Sequence, residues 1–431
     1  MRDNDNRPAI AITGAGAVSA YGLGTAAFYE GLMSARPVIQ ELSLPGLDAE
    51  GVAWGSVVGE FDLPDWMSGR VRDGTDVFAQ WAMVAAEQAI VESGAELDPL
   101  RTAVVLGTSL CGVQSIMRAQ YEIDTGGAAA FPRKTMMKAL TNMGAAQIAM
   151  RHGLHGPSLT VTTACASTLD ALGTAGRLIE FGLADAAVVG GVEAGETMTS
   201  GGAEGNFVPA MAYAPAMFGM HASVTTPEEA CRPFDVNRAG IAGSEGAAAF
   251  LLERADIAES RGARALGHLS GYGAVSDAHH PSAPEPSGRW EERAMRLALD
   301  HSGFEPAKVD CLYAHATGTP VGDPPEIRAI NAVFGKRLKP LPVTSVKGHF
   351  GHAAAASGGM SLIAGLGNLA ENAFVNTANT TDPDPEIRFD VQLGAPVALE
   401  IDVFQVNAFG FGGQNASVVI SRHPDRRSDS R

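Results

Sequence analysis

The amino-acid sequence predicts an α/β fold in which strands of a mostly parallel sheet alternate with helices. The first observation is a β-rich run, Ala9 to Thr13, which leads through Gly14-Ala15-Gly16 into a helical pattern. The second is a regular alternation of strand-like and helix-like runs in the second half. The third is the composition, because 431 residues with 45% hydrophobic residues and 51 glycines are typical of a globular chain with a sizeable core.

The elements follow one another in the order that such a fold requires. A short β-branched run, Leu159 to Thr163, is predicted as a buried strand followed by a helix from Ala166 to Phe181. The remaining predicted elements are a helix at Arg254 to Gly262, a strand at Ala265 to Gly273, a helix near Glu291 to Ser302, and strands at Cys311 to Ala314 and Pro342 to Ser345.

Two similar halves are therefore predicted, residues 1–261 and residues 262–431. The boundary is placed near Arg261, where the chain is charged and contains glycine. The tail from Ser421 to Arg431 is polar and basic, and we predict that it is disordered.

Charge and hydropathy narrow the functional classes. The net charge of −17 argues against nucleic acid as a partner, because duplex binding depends on phosphate neutralisation by Lys and Arg. No apolar run is long enough to span a bilayer, and Met1 to Arg7 lacks the pattern of a signal peptide. We therefore expect a cytoplasmic protein without a membrane contact.

Four cysteines are present, and one of them stands apart. Cys111, Cys231 and Cys311 lack any paired spacing and are assigned to packing rather than to a disulfide framework or a zinc site. Cys165 lies at the predicted strand-to-helix junction, where a helix N-terminus can lower a thiol pKa and free backbone N–H groups can bind an oxyanion. The alternative is that Cys165 is simply a small buried hydrophobic residue.

Two histidine segments add polar groups at strand ends. His315 follows a predicted strand and precedes a Gly/Thr/Pro loop, and His352 opens an Ala-rich helix five residues after Lys347. A histidine at a helix N-terminus stays neutral, because the helix dipole opposes its cationic form. A thiolate beside neutral imidazole donors suits carbon–carbon bond formation better than hydrolysis.

Two other interpretations of these motifs are weaker. His349 and His352 form an HxxH pair, but no third metal ligand with standard spacing is evident, so no metal is predicted and His349 is interpreted as a polar loop residue. Gly14-Ala15-Gly16 resembles the start of a dinucleotide-binding loop, but the third glycine is missing. We interpret it as a tight strand-to-helix turn.

Four motifs together resemble the elongating β-ketoacyl-ACP synthases of fatty acid and polyketide synthesis. They are TACAS at Cys165, HATGTPVGDPPE, KGHFGHAAAASG and NAFGFGGQNAS, and they occur in the family's order between about Ile10 and Ile420. The resemblance implies a thiolase-like, five-layer αβαβα fold made of two similar halves. It also implies a homodimer, or a heterodimer with a ketosynthase-like partner.

The resemblance also assigns roles to residues. It implies that Cys165 accepts the acyl chain from the phosphopantetheine of an acyl carrier protein, with no bound cofactor. His315 and His352 are implied to promote malonyl decarboxylation and to stabilise the enolate, and Lys347 to order this network. The remaining implied assignments are Asp323 and Glu326 as acidic supports, Phe411 as oxyanion donor and gate, Thr317 and Thr319 as pantetheine contacts, and Leu110 and Ile241 in the acyl pocket.

Departures from the family pattern indicate what is made. Ala316 replaces a common glycine, Ile241 replaces a usual phenylalanine, and Ser361 stands where fatty acid enzymes commonly carry glutamate. The change at Ala316 is small and has little expected effect on the chemistry. Ile241, Ser361 and the GDPPE and AAAASG versions of the motifs favour specialised polyketide or polyene synthesis over primary fatty acid synthesis. Two basic patches are candidates for carrier-protein docking: Arg70 with Arg72, and Arg133 with Lys134 and Lys138.

Two alternatives to the condensing enzyme stay open. One is a non-catalytic, chain-length-determining partner of a sister ketosynthase, a role in which the cysteine is usually absent. The other keeps acylation but diverts the attack to an oxygen or nitrogen nucleophile, or skips decarboxylation.

Overall fold

The computed structural model describes residues 7–42, 53–194 and 224–424. Most of the tail that is predicted to be disordered lies outside these residues. Within them, Arg422 is anchored by its guanidinium, which donates to the carbonyl oxygens of Leu369 and Ile401 at 2.8 and 2.7 Å.

Strands and helices alternate along the chain. The strands are β1 Ile10–Ser19, β2 Gly22–Leu23, β3 Gln40–Leu42, β4 Ala53–Gly55, β5 Thr102–Gly107, β6 Ser158–Val161, β7 Ala186–Glu193, β8 Gly246–Arg254, β9 Gly267–Ser276, β10 Cys311–Tyr313, β11 Pro342–Thr344, β12 Ala373–Phe374, β13 Asp390–Val391, β14 Val397–Ala398, β15 Val403–Gly410 and β16 Gln414–Ser421.

The helices of the described residues are mostly short. They are α1 Thr25–Met33, α2 Gly69–Gly74, α3 Val77–Ser93, α4 Val113–Gly126, α5 Thr135–Ala139, α6 Met143–His152, α7 Ser167–Glu180, α8 Pro227–Ala230, α9 Ala255–Ser260, α10 Arg289–Ser302, α11 Asp323–Phe334, α12 Lys347–Phe350 and α13 Ser357–Glu371.

The sheet topology contains an internal repeat. The main sheet runs in the order β13-β11-β10-β15-β16-β9-β1-β8-β7-β5-β6. The five main strands of the first half are β1, β5, β6, β7 and β8, and those of the second are β9, β10, β11, β15 and β16. When the five strands of each half are numbered in chain order, they lie side by side in the order third, second, fourth, fifth, first in both halves. The halves meet where β9 pairs with β1.

The prediction of a mostly parallel sheet is wrong for the central strands. In each half the third, second and fourth strands are parallel, whereas the fifth is antiparallel to both the fourth and the first. Hairpin-like returns such as the one between β15 and β16 are antiparallel because only three residues join the strands.

The two half-sheets enclose a pair of central helices. Helix α7 packs on β5 and β7 of its own half and on β9 and β16 of the other, and α13 packs on β15 and on β7 and β8. Helix α3 covers the outer face of the first half-sheet, and α10 with α11 covers the second. This is the five-layer αβαβα arrangement that the resemblance implied.

The first glycine motif does not form the predicted turn. Gly14 and Gly16 lie inside β1, which continues to Ser19. A Cβ atom at either glycine would collide with the carbonyl oxygen of Ala89 or Ala85 in α3. These glycines therefore serve the close approach of a helix to a strand, which no local pattern shows.

The strand before the reactive cysteine is not buried as predicted. Among the described residues, β6 pairs only with β5 and forms one end of the sheet, and its residue Leu159 is 42% exposed.

No helix among the described residues is long and apolar enough to cross a lipid bilayer.

Candidate active site

The predicted site residues gather at the ends of parallel strands. Cys165 follows β6, His315 follows β10, and Lys347 and His352 follow β11. Phe411 follows β15, in the turn before β16. The carboxyl ends of parallel strands are where α/β folds collect functional groups, and here groups from both halves converge.

Cys165 lies on a strained turn between β6 and α7. It occupies the 3-10 turn Ala164–Ala166, in which Ala164 has a left-handed φ of 51°. The hydroxyl of Ser167 stabilises this turn, because it accepts the Thr163 N–H at 2.9 Å and donates to the Ala164 carbonyl at 2.6 Å. Such backbone strain persists only where surrounding contacts hold it. The held turn fixes the direction of the Cys165 thiol.

The thiol contacts one imidazole directly. His352 Nε2 lies 3.0 Å from Cys165 Sγ, and His352 Nδ1 lies 2.7 Å from the hydroxyl of Ser357. The ring of His315 stands nearly perpendicular to that of His352, with 5.2 Å between the centroids. The structure therefore brings together the cysteine and both predicted histidines.

Burial controls the protonation of these three groups. Burial, followed by the charge of Lys347, lowers the pKa values of His315 and His352 well below the usual value, so both rings are neutral. The prediction of a lowered thiol pKa is wrong for the resting protein. Burial raises the pKa of Cys165 to about 11, although Lys347 and two backbone N–H groups oppose this shift.

Lys347 and Glu326 are two buried titratable groups that interact electrostatically. The Glu326 carboxylate accepts the backbone N–H groups of His315 and Ala316 at 2.8 and 2.6 Å, and the Asn407 amide at 3.2 Å. Burial raises the pKa of Glu326 to about 7 despite these donors. Burial also lowers the pKa of Lys347, and the Glu326 carboxylate opposes that shift most strongly.

Asp323 shapes the loop that carries the two predicted threonines. Its carboxylate accepts the N–H groups of Gly318 and Thr319, both at 3.1 Å, and that of Phe234 at 2.8 Å. Gly318 has a φ of 79°, which allows the loop to turn there. The hydroxyls of Thr317 and Thr319 consequently lie 3.2 Å apart.

Two backbone N–H groups act on the Cys165 sulfur. Those of Cys165 and Phe411 both lie close enough to the Cys165 thiol to lower its pKa. Gly410 permits this approach, because a Cβ there would lie 2.7 Å from the Thr163 carbonyl oxygen and 3.0 Å from the Cys165 nitrogen. The Phe411 side chain is 55% exposed and lies away from the core.

The two predicted pocket residues lie on segments next to this centre. The backbone N–H of Leu110 donates to the Glu193 carboxylate at 3.2 Å. Ile241 is half-buried and precedes Ala242, whose carbonyl oxygen accepts the His352 N–H at 2.8 Å. The structure thus places Ile241 one residue from a direct contact with the histidine segment.

Sequence analysis missed two polar residues of the site. Ser357 contacts His352, and nothing in the Ala-rich motif singles it out. Glu193 is 1% exposed at the end of β7 and accepts hydrogen bonds from the Ser109 hydroxyl and from the Ala355 N–H at 3.3 Å. An acidic residue ending an otherwise apolar strand was the available signal for Glu193.

His349 does not join the cluster. It is completely buried in α12, where its Nε2 donates to the Asn376 carbonyl at 2.8 Å, so its interpretation as a polar loop residue is wrong. Burial lowers its pKa to about 4.

Across the described residues, the group with metal-ligand spacing is Cys165, His315 and His352, whose ligand atoms lie within 4.8 Å of one another.

The two candidate docking patches lie around the start of α3. Arg70 and Arg72 are exposed on α2, which ends just before Asp76, the N-cap residue of α3. Arg133 and Lys134 are exposed beside α5. Burial raises the pKa of Asp76, and the charge of Lys138 is one of the contributions that oppose this shift. The remaining cysteines, Cys111, Cys231 and Cys311, are buried and form no disulfide.

Comparison with known proteins identifies the family. Residues 7–258 match the N-terminal domain model of the β-ketoacyl synthases, and residues 266–381 match the C-terminal domain model. The chain is 31% identical over 425 residues to 3-oxoacyl-(acyl-carrier-protein) synthase 2 of Rhizobium meliloti, covering 96% of this chain and 99% of the relative. It is 32% identical over 424 residues to the protein of that name from Synechocystis, with coverages of 97% and 99%.

Solved structures agree with this assignment. The ishigamide ketosynthase/chain length factor superposes with a TM-score of 0.86 at 28% identity, covering 97% of this chain and 100% of that one. A β-ketoacyl synthase from Burkholderia phymatum gives a TM-score of 0.83 at 25% identity, with coverages of 96% and 100%. The chain therefore belongs to the β-ketoacyl synthase family, a family of acyl-transferring enzymes.

Proposed function

We propose that this protein is a β-ketoacyl-ACP synthase that performs a decarboxylative Claisen condensation on Cys165. The observation that carries the proposal is the convergence of one thiol, two neutral imidazoles and two backbone N–H groups. The His352 Nε2 lies 3.0 Å from the sulfur, and the backbone N–H groups of Phe411 and Cys165 oppose the rise in the thiol pKa. Neutral N–H donors around a nucleophilic sulfur suit a reaction in which negative charge develops twice, first on the oxygen of the thioester and then on the oxygen of the enolate.

In the first step the Cys165 sulfur attacks the acyl thioester of a carrier-bound substrate. The oxyanion that forms is stabilised by the N–H groups of Cys165 and Phe411, and one such donor is typically worth about 100- to 1000-fold in rate. The tetrahedral intermediate collapses to acyl-Cys165, and the carrier thiolate takes up the proton lost from the Cys165 thiol. Since the resting thiol is neutral, its deprotonation accompanies the attack.

In the second step malonyl-ACP loses carbon dioxide. The resulting enolate oxygen accepts N–H hydrogen bonds from His315 and His352, and the enolate carbon attacks the acyl group on Cys165. The carbon–sulfur bond breaks, β-ketoacyl-ACP is released, and the Cys165 thiolate is reprotonated. Lys347 and Glu326 act as positioning groups, since Glu326 fixes the backbone of His315.

We propose an acyl carrier protein as the substrate-bearing partner. The names of the relatives and the basic residues around α3 support this, because a chain with a net charge of −17 needs a local positive surface to bind an acidic carrier. Thr317 and Thr319 are proposed to contact the pantetheine arm, and Leu110 and Ile241 to line the acyl pocket.

A second copy or a ketosynthase-like partner is proposed to cover the β6 edge. Exposed apolar side chains lie on the segment before α6, the helix that precedes β6: Phe131, Met136, Met137 and Leu140 are 39–60% exposed. The neighbour that is named as a ketosynthase/chain length factor supports a heteromeric pair as readily as a homodimer. We also propose that the chain divides into halves at residues 1–261 and 262–431, which the repeated strand order supports.

We further propose a role in specialised polyketide or polyene synthesis. Ile241 in place of phenylalanine, Ser361 in place of glutamate and the likeness to the ishigamide enzyme support it. The alternative, a non-catalytic chain-length-determining partner, is disfavoured by the assembled Cys165, His315 and His352. Diversion to another nucleophile is disfavoured by the presence of both histidines.

The test is a mass-spectrometric assay with acyl-ACP and malonyl-ACP, with Cys165→Ala compared with the buried-cysteine control Cys311→Ala. We expect an acyl adduct and β-ketoacyl-ACP from the wild type and the control, and neither from Cys165→Ala. If the wild type neither acylates nor consumes malonyl-ACP, alone or with candidate partners, the non-catalytic alternative replaces this proposal.

A further inference from the structure

Ser357 provides the only hydrogen bond made by the inner nitrogen of His352 among the described residues. It is the first residue of α13 and is 1% exposed. Its hydroxyl oxygen lies 2.7 Å from Nδ1, and the opposite ring nitrogen, Nε2, lies 3.0 Å from the Cys165 sulfur. The serine and the cysteine thus contact the two ends of one imidazole.

The corresponding serine of the first half is used differently. Ser167 begins α7 after the turn Ala164–Ala166, just as Ser357 begins α13 after the turn Ala354–Ala356. The hydroxyl of Ser167 accepts the Thr163 N–H and has backbone carbonyl acceptors for its own proton, Ala164 at 2.6 Å and Thr108 at 3.3 Å, so it is committed to the backbone. In the part of the chain that the structure describes, the hydroxyl of Ser357 contacts only His352.

This difference decides the direction of the hydrogen bond. A buried hydroxyl that leaves its proton without an acceptor loses the full desolvation free energy of that group. Nδ1 is the acceptor within reach, and a neutral imidazole carries its proton on only one nitrogen. The Ser357 hydroxyl therefore donates to Nδ1, and the ring proton stays on Nε2.

We propose that Ser357 is a positioning residue that holds His352 in the Nε2–H tautomer, with the N–H directed at Cys165. In this tautomer Nε2 cannot accept the thiol proton. It donates instead, first to the negative charge that develops on sulfur and then to the enolate oxygen. This inference rests on the proposed function only for its catalytic consequence, since the tautomer is a property of the free protein.

The first experiment measures the tautomer directly. Nitrogen-15 NMR of histidine-labelled protein, with His352 assigned by comparison with His352→Gln, is recorded for the wild type, Ser357→Ala and the control Ser361→Ala. Ser361 is one turn further along α13 and equally buried at 1% exposure. We expect a protonated Nε2 in the wild type and control, and a mixture of tautomers in Ser357→Ala.

The second experiment measures the consequence. Malonyl-ACP decarboxylation should fall about 3- to 10-fold in Ser357→Ala, the loss expected for one neutral hydrogen bond, and should recover in Ser357→Thr. A wild-type Nδ1–H tautomer, or an unchanged tautomer in Ser357→Ala, overturns the inference. If the tautomer shifts as expected but no variant decarboxylates malonyl-ACP, the proposed function fails while the assignment of Ser357 stands.

Discussion

Glu326→Gln should remove a pH dependence of stability that comes from one buried carboxyl group. The pKa of Glu326 is raised from 4.5 to about 7, and burial is the main cause. The folded state therefore binds this proton more tightly than the unfolded chain does. For a carboxyl group shifted upward, the stabilising contribution is fully present below the unfolded pKa and is lost as pH rises through the folded pKa.

The magnitude follows from the size of the shift. One pKa unit corresponds to about 1.4 kcal/mol, so the wild-type free energy of unfolding should lose about 3 kcal/mol between pH 4.5 and pH 7 through this group. Other groups titrate in the same window, including His349 with its pKa lowered to about 4. Their contributions cancel in the difference between wild type and variant.

The assay is urea unfolding at half-unit steps from pH 5 to pH 8, with the exposed Glu400→Gln as the control. The difference between wild type and Glu326→Gln should change by about 2 to 3 kcal/mol over this range, while the control should run parallel to the wild type. Glu326→Gln also lowers stability by an amount that does not depend on pH, because its NH2 group replaces one of the two oxygens that accept the N–H groups of His315 and Ala316. Parallel curves for wild type and Glu326→Gln would refute the raised pKa.

Four further outcomes are expected. Glu193→Ala removes the acceptor of the Leu110 N–H, so the products analysed by mass spectrometry should shift in chain length. An unchanged product pattern would separate Glu193 from the pocket. Phe411→Ala keeps the backbone N–H, so the rate of Cys165 acylation by short acyl-ACP should change less than about 3-fold. A loss of about 100-fold would show that the Phe411 side chain, rather than its N–H, promotes acylation. Alkylation of Cys165 by iodoacetamide should accelerate steadily from pH 7 to pH 9, since its pKa is raised to about 11, and a plateau below pH 8 would contradict this. Leu159→Lys on the β6 edge should shift the oligomer towards monomer in light-scattering measurements, and an unchanged mass would place the interface elsewhere.

Local sequence patterns singled out residues that the structure brings together. Cys165 stood out by its position between a β-branched run and a helix, and His315 by its place at a strand end. Their roles came from the family resemblance, which joins motifs far apart in the chain. Periodicity alone could not show that these segments converge, because convergence depends on how two half-sheets stack around α7 and α13.

Several structural features could not be predicted from local patterns, because they depend on contacts between segments that are far apart in the chain. Gly14 and Gly16 suggested a turn, but their function is to admit a helix from elsewhere in the chain. The antiparallel centre of the sheet is set by which strands become neighbours. Glu193 and Ser357 act through hydrogen bonds to partners that only folding brings within reach.

By itself the sequence determined the alternation of strands and helices, the doubled layout and the residues that can do thiol chemistry, because these follow from short-range periodicity and residue type. Only the tertiary structure decided the protonation of those residues. Helix position alone suggested an acidic thiol in Cys165, whereas burial between the halves raises its pKa and keeps His315 and His352 neutral. The reason is that desolvation depends on everything packed around a group, and most of what surrounds Cys165 belongs to distant parts of the chain.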